Sequence, residues 1–594
     1  MQYKKSIQTL FLFRFSGILL MLLINPIIVR SQLNLFPAIS DSIGLDYRSG
    51  GVSLDSIDAS FIGTLNLRPG AGDFSLIEFD LPQALGQQQN GLTYRMNDKK
   101  VKPIWSGLPY LGFQYAFGSA LNQTVNVQYH QFLNPLTHIH FNYKRSTSNG
   151  FLRNSDFTFN DVSFLFVHEK KRYSTIVEAY YGADELGQFD GVLSDLNSEV
   201  PSLDFLQVGN DFARSQVRNT SINWQNYLRF IGDSLTGSGI MSRHRYDLNG
   251  REYTSQIQDP SLFDTLFIDT NQTRDQYQTA SIINGAGVFF NSPTFSVDAA
   301  LNHRYWRNQN LGSFFDTTEA FIDANLKFRV AEKINLSSYF YFNFLGAVGE
   351  LKSLTTINYS YSEKVMIGGR LDFKNLYPDP YLRSHSANYF NWNITADQLQ
   401  LQQSLNLNGY VKIGNHNHVR ASLNWTSINN GRYFIHNRWR QDTLDLISVG
   451  SVGLKAQLKI GGWSFYPGID LRFQSANFNY QPSFSTMNRI SYSTKIFNDN
   501  LGIALGVDLG YDTGYRFLTY NGVLGVMMPA SGNGTTPSLY RLNAFTALSI
   551  DQFRFFVRAE NIDYFVNDST ALVDQRTPII PFLIRIGITW DFFN

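Results

Sequence analysis

The sequence predicts an all-β fold, a transmembrane antiparallel β-barrel of about 22 strands, within roughly 16 to 26. Three observations carry that expectation. Long segments alternate apolar and polar residues with a period of two, the period at which side chains change faces on a strand. Charged residues are only 16% of the 594 and aromatics 15%, against roughly 25% charged in ordinary soluble domains. Beyond the N-terminus no apolar run approaches the ~20 residues that a membrane-crossing helix needs, and mean hydropathy is -0.20.

Bulk charge excludes other classes. Lys and Arg number 49 against 48 Asp and Glu, for a formal net charge of +1, so no field recruits nucleic acid and no nucleic-acid partner is expected. There is no cysteine, which removes disulfides, thiol nucleophiles and thiolate metal sites.

Residues 1–31 read as a signal peptide. Lys4 and Lys5 precede Arg14 and the apolar stretch from Phe15 to Val29, and Val29 and Ser31 suit a cut that leaves Gln32 first. Residues 32–107 form an N-terminal segment expected in the periplasm or the lumen, with Asp41, Asp46, Asp55, Asp58, Gly70-Ala71-Gly72 and the run Gln87-Gln88-Gln89. It is short for the plug domain of an energised receptor.

Residues 108–594 are the barrel. Ala320, Ile322, Ala324, Leu326, Phe328 and Val330 alternate with Phe321, Asp323, Asn325, Lys327 and Arg329. Ile334, Leu336, Phe340, Phe342 and Phe344 follow, and the pattern returns at Leu405–Ile413, Val419–Trp425, Val452–Ile460, Phe465–Phe473, Leu501–Leu509 and Leu542–Ile550. Segments near ten residues match the 9–11 of a tilted transmembrane strand rather than the 5–6 typical of soluble sheets. Because backbone groups in lipid need internal partners, such strands must close on themselves.

The connections are expected to be asymmetric, short on the periplasmic side and long outside. Gly118-Ser119-Ala120, Ala331-Glu332-Lys333, Ser362-Glu363-Lys364, Gly414-Asn415-His416 and Gly461-Gly462 read as short turns. Ala183–Asn219, Asn249–Asp275, Asn375–Asn388 and Thr513–Ser538 read as long polar loops. Ala183–Asn219 and Asn249–Asp275 are expected to be solvated outer loops in preference to inward constrictions.

At the chain end Ile584, Ile586, Ile588, Trp590 and Phe592 alternate with Arg585, Gly587, Thr589 and Asp591, after a penultimate strand Phe553–Asn561. The last residue is Asn594 rather than an aromatic. Together with Leu108-Pro109-Tyr110, Tyr129-His130-Gln131, Ser148-Asn149-Gly150-Phe151-Leu152 and Gly187-Gln188-Phe189-Asp190-Gly191, these ends resemble the outer-membrane β-barrel porin family of Bacteroidota. The resemblance implies the outer membrane of a Gram-negative, Bacteroidota-like bacterium, porin activity and no catalytic motif. It also implies handling by the barrel-assembly machinery through the C-terminal strand.

Candidate chemistry is thin. His138/His140 and His416/His418 are two-apart pairs that would share a strand face, but a metal site needs about three or four ligands, so these histidines read as structural. No Ser-His-Asp set is singled out and no Gly-rich phosphate cradle carries a Lys. Neither an enzyme nor a cofactor is expected.

Lumen-lining positions are expected at Asp323, Lys327, Arg329, Lys455, Lys459, Asp470, Arg472, Arg554, Arg558, Arg585 and Asp591, because Arg or Lys facing lipid at the midplane costs about 2–4 kcal/mol. This mixture of signs fits either selectivity or salt-bridged packing. Leu326, Phe328, Leu458, Ile503, Leu505, Ile586, Ile588 and Trp590 are expected to face the outer-membrane lipid. Tyr359, Tyr361, Trp425, Trp463 and Trp590 suit interface girdles. The expected role is passive diffusion of small polar solutes through a charged lumen; the alternative is a structural or export-associated barrel with a blocked lumen. A homo-oligomer is compatible with either.

Overall fold

The computed structural model describes residues 43–44, 104–105, 109–193, 206–233, 236–256, 267–310, 313–330, 333–377, 383–393, 400–435, 438–441, 446–475, 480–530, 534–565, 572, 577–579 and 581–593. The expected leader, residues 1–31, lies outside them. Of residues 32–107 only a two-residue parallel pairing is described, Ile43 with Ile104 and Gly44 with Trp105.

Twenty-two antiparallel strands close into one barrel. The first eleven are β1 (Tyr110–Gly118), β2 (Asn122–Asn134), β3 (Thr137–Ser148), β4 (Phe157–Glu169), β5 (Tyr173–Gly187), β6 (Arg214–Gly232), β7 (Gly237–Gln256), β8 (Gln272–Asn291), β9 (Phe295–Asn310), β10 (Ser313–Val330) and β11 (Ile334–Leu345). The second eleven are β12 (Leu351–Ser362), β13 (Val365–Leu376), β14 (Gln402–Gly414), β15 (His418–Asn429), β16 (Ile447–Ile460), β17 (Trp463–Tyr466 and Gly468–Gln474), β18 (Phe484–Ile496), β19 (Leu501–Asp512), β20 (Leu539–Ile550), β21 (Phe553–Glu560) and β22 (Leu583–Phe593). Pro467 interrupts β17, as expected of a residue that cannot donate to the ladder.

Each strand pairs with its sequence neighbours, and β1 pairs with β22 from Tyr110↔Phe593 to Gly118↔Arg585. Closure gives every strand two partners, so no sheet edge is left to face hydrocarbon, where each unpaired backbone group would cost several kcal/mol. Several inward glycines sit beneath a ring of the next strand: a Cβ on Gly587 would collide with Phe556, and one on Gly506 with Phe545.

The two rims differ. Connections of two to four residues follow every even-numbered strand from β2 to β20. Gly414, at φ +103°, opens one of these turns, and a Cβ there would strike the Asn417 carbonyl. The opposite rim carries the longer connections, whose described residues include 188–193, 206–213, 267–271, 383–393, 513–530, 534–538 and 561–565. Four of the five short turns read from the sequence lie on the short-turn rim. Gly118-Ser119-Ala120 does not: it joins β1 to β2 on the long-loop rim, where Ser119 N–H donates to Ile584 O at 3.3 Å. Length alone misplaced it, because a tight two-strand turn is available at either rim.

Two loop expectations also need correction. Ala183–Gly187 and Arg214–Asn219 belong to β5 and β6, and Asn249–Gln256 and Gln272–Asp275 to β7 and β8. β7 and β8 each run 20 residues, well past the 9–11 that cross a bilayer. Their outward faces change accordingly from apolar to ion-paired, with Arg274 Nε of β8 2.6 Å from Glu252 Oε1 of β7, and the same change continues on β9 and β10, where Arg307 Nε lies 2.8 Å from Asp316 Oδ1. The polar composition of these projecting ends is what made them read as loop.

Candidate functional site: the barrel interior

Salt bridges that skip a strand identify the enclosed face, because only the concave side lets side chains two or three strands apart meet. Arg243 of β7 reaches Asp298 of β9 and, at 2.6 Å, Asp323 of β10. Asp508 of β19 holds Arg489 of β18 at 2.6 Å and Arg558 of β21 at 2.9 Å. From Arg558 the chain of charges passes to Glu560 at 3.3 Å and on to Arg585 at 2.9 Å. Arg585 then donates to Asn122 Oδ1 of β2 at 3.3 Å. Arg554 lies 3.4 Å from Asp591, whose carboxylate also accepts from Tyr110 Oη at 2.7 Å.

Strand register carries this face around the barrel. Asp323, Lys327, Arg329, Lys455, Lys459, Asp470, Arg472, Arg554, Arg558, Arg585 and Asp591 all fall on it. Arg472 pairs with Asp470, while Lys455 stays exposed. Leu326, Phe328, Leu458, Ile503, Leu505, Ile586, Ile588 and Trp590 occupy the opposite face, and Leu505 is 52% exposed.

The structure resolves the mixture of signs into arcs. On β7–β11 and β17–β22 most of the inward charges sit in ion pairs, with Arg329 donating instead to Asn335 Oδ1 at 3.0 Å. On β12–β16, among the described residues, the inward positions carry Lys352, Arg370, Lys374, Lys412, Arg420, Lys455 and Lys459 against the single acid Asp372. Asp372 lies 3.1 Å from Lys374 and 3.5 Å from Arg370, and Arg420 sits 4.0 Å over the Tyr410 ring. This basic wall was missed as a unit, although Lys412 and Arg420 occupy the polar positions of two strands already visible as Val411/Ile413 and Val419/Ala421.

Two loops close over the long-rim mouth. Within 513–538, Leu518–Asn521 and Val526–Pro529 form a hairpin, and Arg251 of β7 grips its turn, donating from Nη2 to Gly522 O at 2.6 Å and from Nη1 to Val523 O. Since β7 stands nearly opposite β19 and β20 on the ring, this hairpin spans the opening. Val523 and Leu524 are buried, and Gly522 abuts Gln188 and Asp190 just beyond β5. Within 377–401, Asn388 N–H donates to Asp275 Oδ1 at 2.8 Å and its amide to Thr273 Oγ1 at 2.6 Å. Tyr389 meets Tyr253 edge-on at 6.4 Å, and His385 lies 4.6 Å from Trp392.

Asp275 and His385 stand beyond the membrane-crossing stretch. Burial raises the Asp275 carboxyl to about 6 and lowers His385 to about 3, because it penalises the charged form of each. The described part of 188–213 is not a solvated loop: Phe189, Val192, Leu206 and Val208 pack with Leu152.

The histidine pairs separate. His138 and His140 are buried on the inner face of β3, with His130 of β2 in register with His140. His416 lies in the β14–β15 turn and His418 starts β15, so that pair shares no strand face. Among the described residues no group of three or more His, Cys, Asp or Glu side chains is placed to hold a metal ion.

Closed ring, apolar outside, paired polar interior and unequal rims define an outer-membrane β-barrel. Residues 93–594 match the family described as "Putative porin", and the chain belongs to it. No curated protein matches. Similar solved structures include the siderophore receptor PirA from Acinetobacter baumannii, with 9% identity over 82% of this chain and 80% of that one and a TM-score of 0.55. The FrpB iron transporter from Neisseria meningitidis, F5-1 variant, has 9% identity over 82% of each chain and a TM-score of 0.57. The copper transporter OprC has 9% identity over 82% of this chain and 80% of that one, with a TM-score of 0.57. At these identities the likeness shows the fold alone.

Proposed function

We propose that this barrel passes small polar solutes across the outer membrane by passive diffusion, with a preference for anions, and performs no chemistry. The observation that supports this most is the basic wall of β12–β16, seven cations against Asp372 on one inner arc. Rings of basic side chains favour anions in a pore, and because most inward charges elsewhere sit in ion pairs, this arc sets the sign. A 22-strand ring is wide enough that other barrels of that size carry a filled lumen, so the hairpin held by Arg251 acts as the constriction that limits solute size.

Reversal potential across a planar bilayer under a salt gradient tests the reading. The wild-type barrel is expected to favour the anion, and Lys412→Glu with Lys455→Glu to move the preference toward the cation. Conductance steps whose ion preference ignores both substitutions would refute it.

A second reading, a structural or export-associated barrel sealed by its loops, is favoured by the Arg251 grip on Gly522 across the mouth. It predicts folded protein with no conductance steps.

A further inference from the structure

The outer face of the barrel is apolar through most of the membrane-crossing height, but not on β6–β9. There Asn226, Ser242, His244, Asn284 and His303 all point outward, joined by register as Asn226↔Ser242, His244↔Asn284 and Asn284↔His303. Neighbours at the same parity fix their direction: Ile222, Leu228, Ile240, Tyr246, Ile282 and Leu301 are all exposed. His244 stands seven residues along β7 from Gly237 at the short-turn rim, and Asn284 seven along β8 from Asn291. At about 3.4 Å per residue and a tilt near 45°, both lie roughly 16 Å above that rim, near the bilayer midplane.

Four of the five make hydrogen bonds along the wall, His244 Nδ1 with Asn284 Oδ1 at 2.9 Å and Asn226 Nδ2 to Ser242 Oγ at 3.2 Å, while Asn226 Oδ1 accepts from Tyr173 Oη at 2.8 Å. Those bonds use only part of their capacity, since an amide offers two donors and two acceptor lone pairs and an imidazole a second nitrogen. Leaving such groups against hydrocarbon is costly, whereas polar side chains between membrane segments serve as adhesive.

We propose that this patch is an in-membrane interface and that its occupant is a second copy of this chain. The patch is uncharged and each Asn and His brings both a donor and an acceptor, so the surface is complementary to itself, as a two-fold contact requires. Ser242, Ala286 and Ala299 keep its centre low, which lets a second wall approach closely, and the surrounding apolar side chains form the rim of the contact.

Because the chain lacks cysteine, single-cysteine scanning in native outer membranes reads the interface directly. Asn284→Cys and Ser242→Cys, alone or mixed, are expected to give an oxidant-dependent covalent dimer, while Val452→Cys on β16 and Leu505→Cys on β19 give none. Asn284→Leu with His303→Leu, in barrels that retain heat-modifiable mobility, is expected to lower the dimer association constant by about threefold for each interfacial hydrogen bond removed. Equal cross-linking at all four sites, a monomer in mild detergent and in membranes, or a bridge from position 284 to a different protein would each overturn the proposal.

Discussion

The Arg251 guanidinium on β7 and the Gly522 carbonyl, 271 residues apart in sequence, meet at 2.6 Å across the mouth of the barrel. One side chain on a rigid wall therefore holds the tip of a hairpin rooted on the far side. Hydrogen bonds from a charged donor contribute about 1.5–3 kcal/mol each, and Arg251 makes two. Arg251→Ala is expected to free the hairpin, raising single-channel conductance and its noise, and to expose residues 513–538 to protease. Unchanged conductance with unchanged proteolysis would show that the hairpin is held by Val523 and Leu524 packing alone.

The two faces should respond oppositely to charge. Leu505→Arg places a cation against lipid at a cost of about 2–4 kcal/mol and is expected to impair assembly in heat-modifiability gels. Lys455→Ala, on the enclosed face, should leave folding intact and shift only ion preference. Like behaviour of the two variants would mean that the faces are reversed.

Asp508 serves two cations, Arg489 and Arg558. Asp508→Asn leaves both buried guanidinium groups short of counter-charge, a loss of about 3–5 kcal/mol for a broken buried pair. Denaturant melts should show a lower midpoint, and reversal potentials a stronger anion preference. Asp508→Ala should be no milder.

The docked 377–401 loop contains two groups of opposite sign. His385, held near 3, contributes docking stability that is fully present above about 6.5 and lost as pH falls toward 3. Asp275, held near 6, contributes stability present below about 3.8 and lost as pH rises through 6. In Asp275→Asn, protection of the loop from a protease active over pH 4–8 should fall steadily on acidification; in His385→Phe it should rise over the same range. Identical profiles in the two variants would remove titration from the account.

How legible was this fold in the sequence? Strands such as Ala320–Val330 and Leu501–Leu509 announced themselves because one face meets lipid and tolerates only apolar side chains. β6–β8 did not. Their outward faces carry Asn226, His244 and Asn284 at mid-height and ion pairs above it, which erases the alternation that periodicity needs. Arg243, Arg245 and Arg251 were hidden for the same reason, since polar residues on both sides of a strand give no contrast. Among the inner charges on β17 to β22, Asp470, Arg472, Arg554, Arg558, Arg585 and Asp591 were legible residue by residue, whereas Arg489, Asp508, Asp512, Arg541 and Glu560 were missed, and the pairing was not legible at all. Asp508 meets Arg558 through curvature and register, neither of which local spacing encodes. The mouth was invisible, because Gly522 and Arg251 have nothing in common except the geometry of a closed ring.

The seam between β1 and β22 is the one junction of the ring that joins strands remote in the chain. All the others join consecutive strands and form by local hairpin growth, with little loop entropy to overcome. Until that last zipper engages, the sheet is a curled ribbon with two raw borders, each able to capture a foreign strand. Sealing therefore arrives as a single late event, and Tyr110 with Asp591 and Arg585 with Asn122 are the clasps that make it hold.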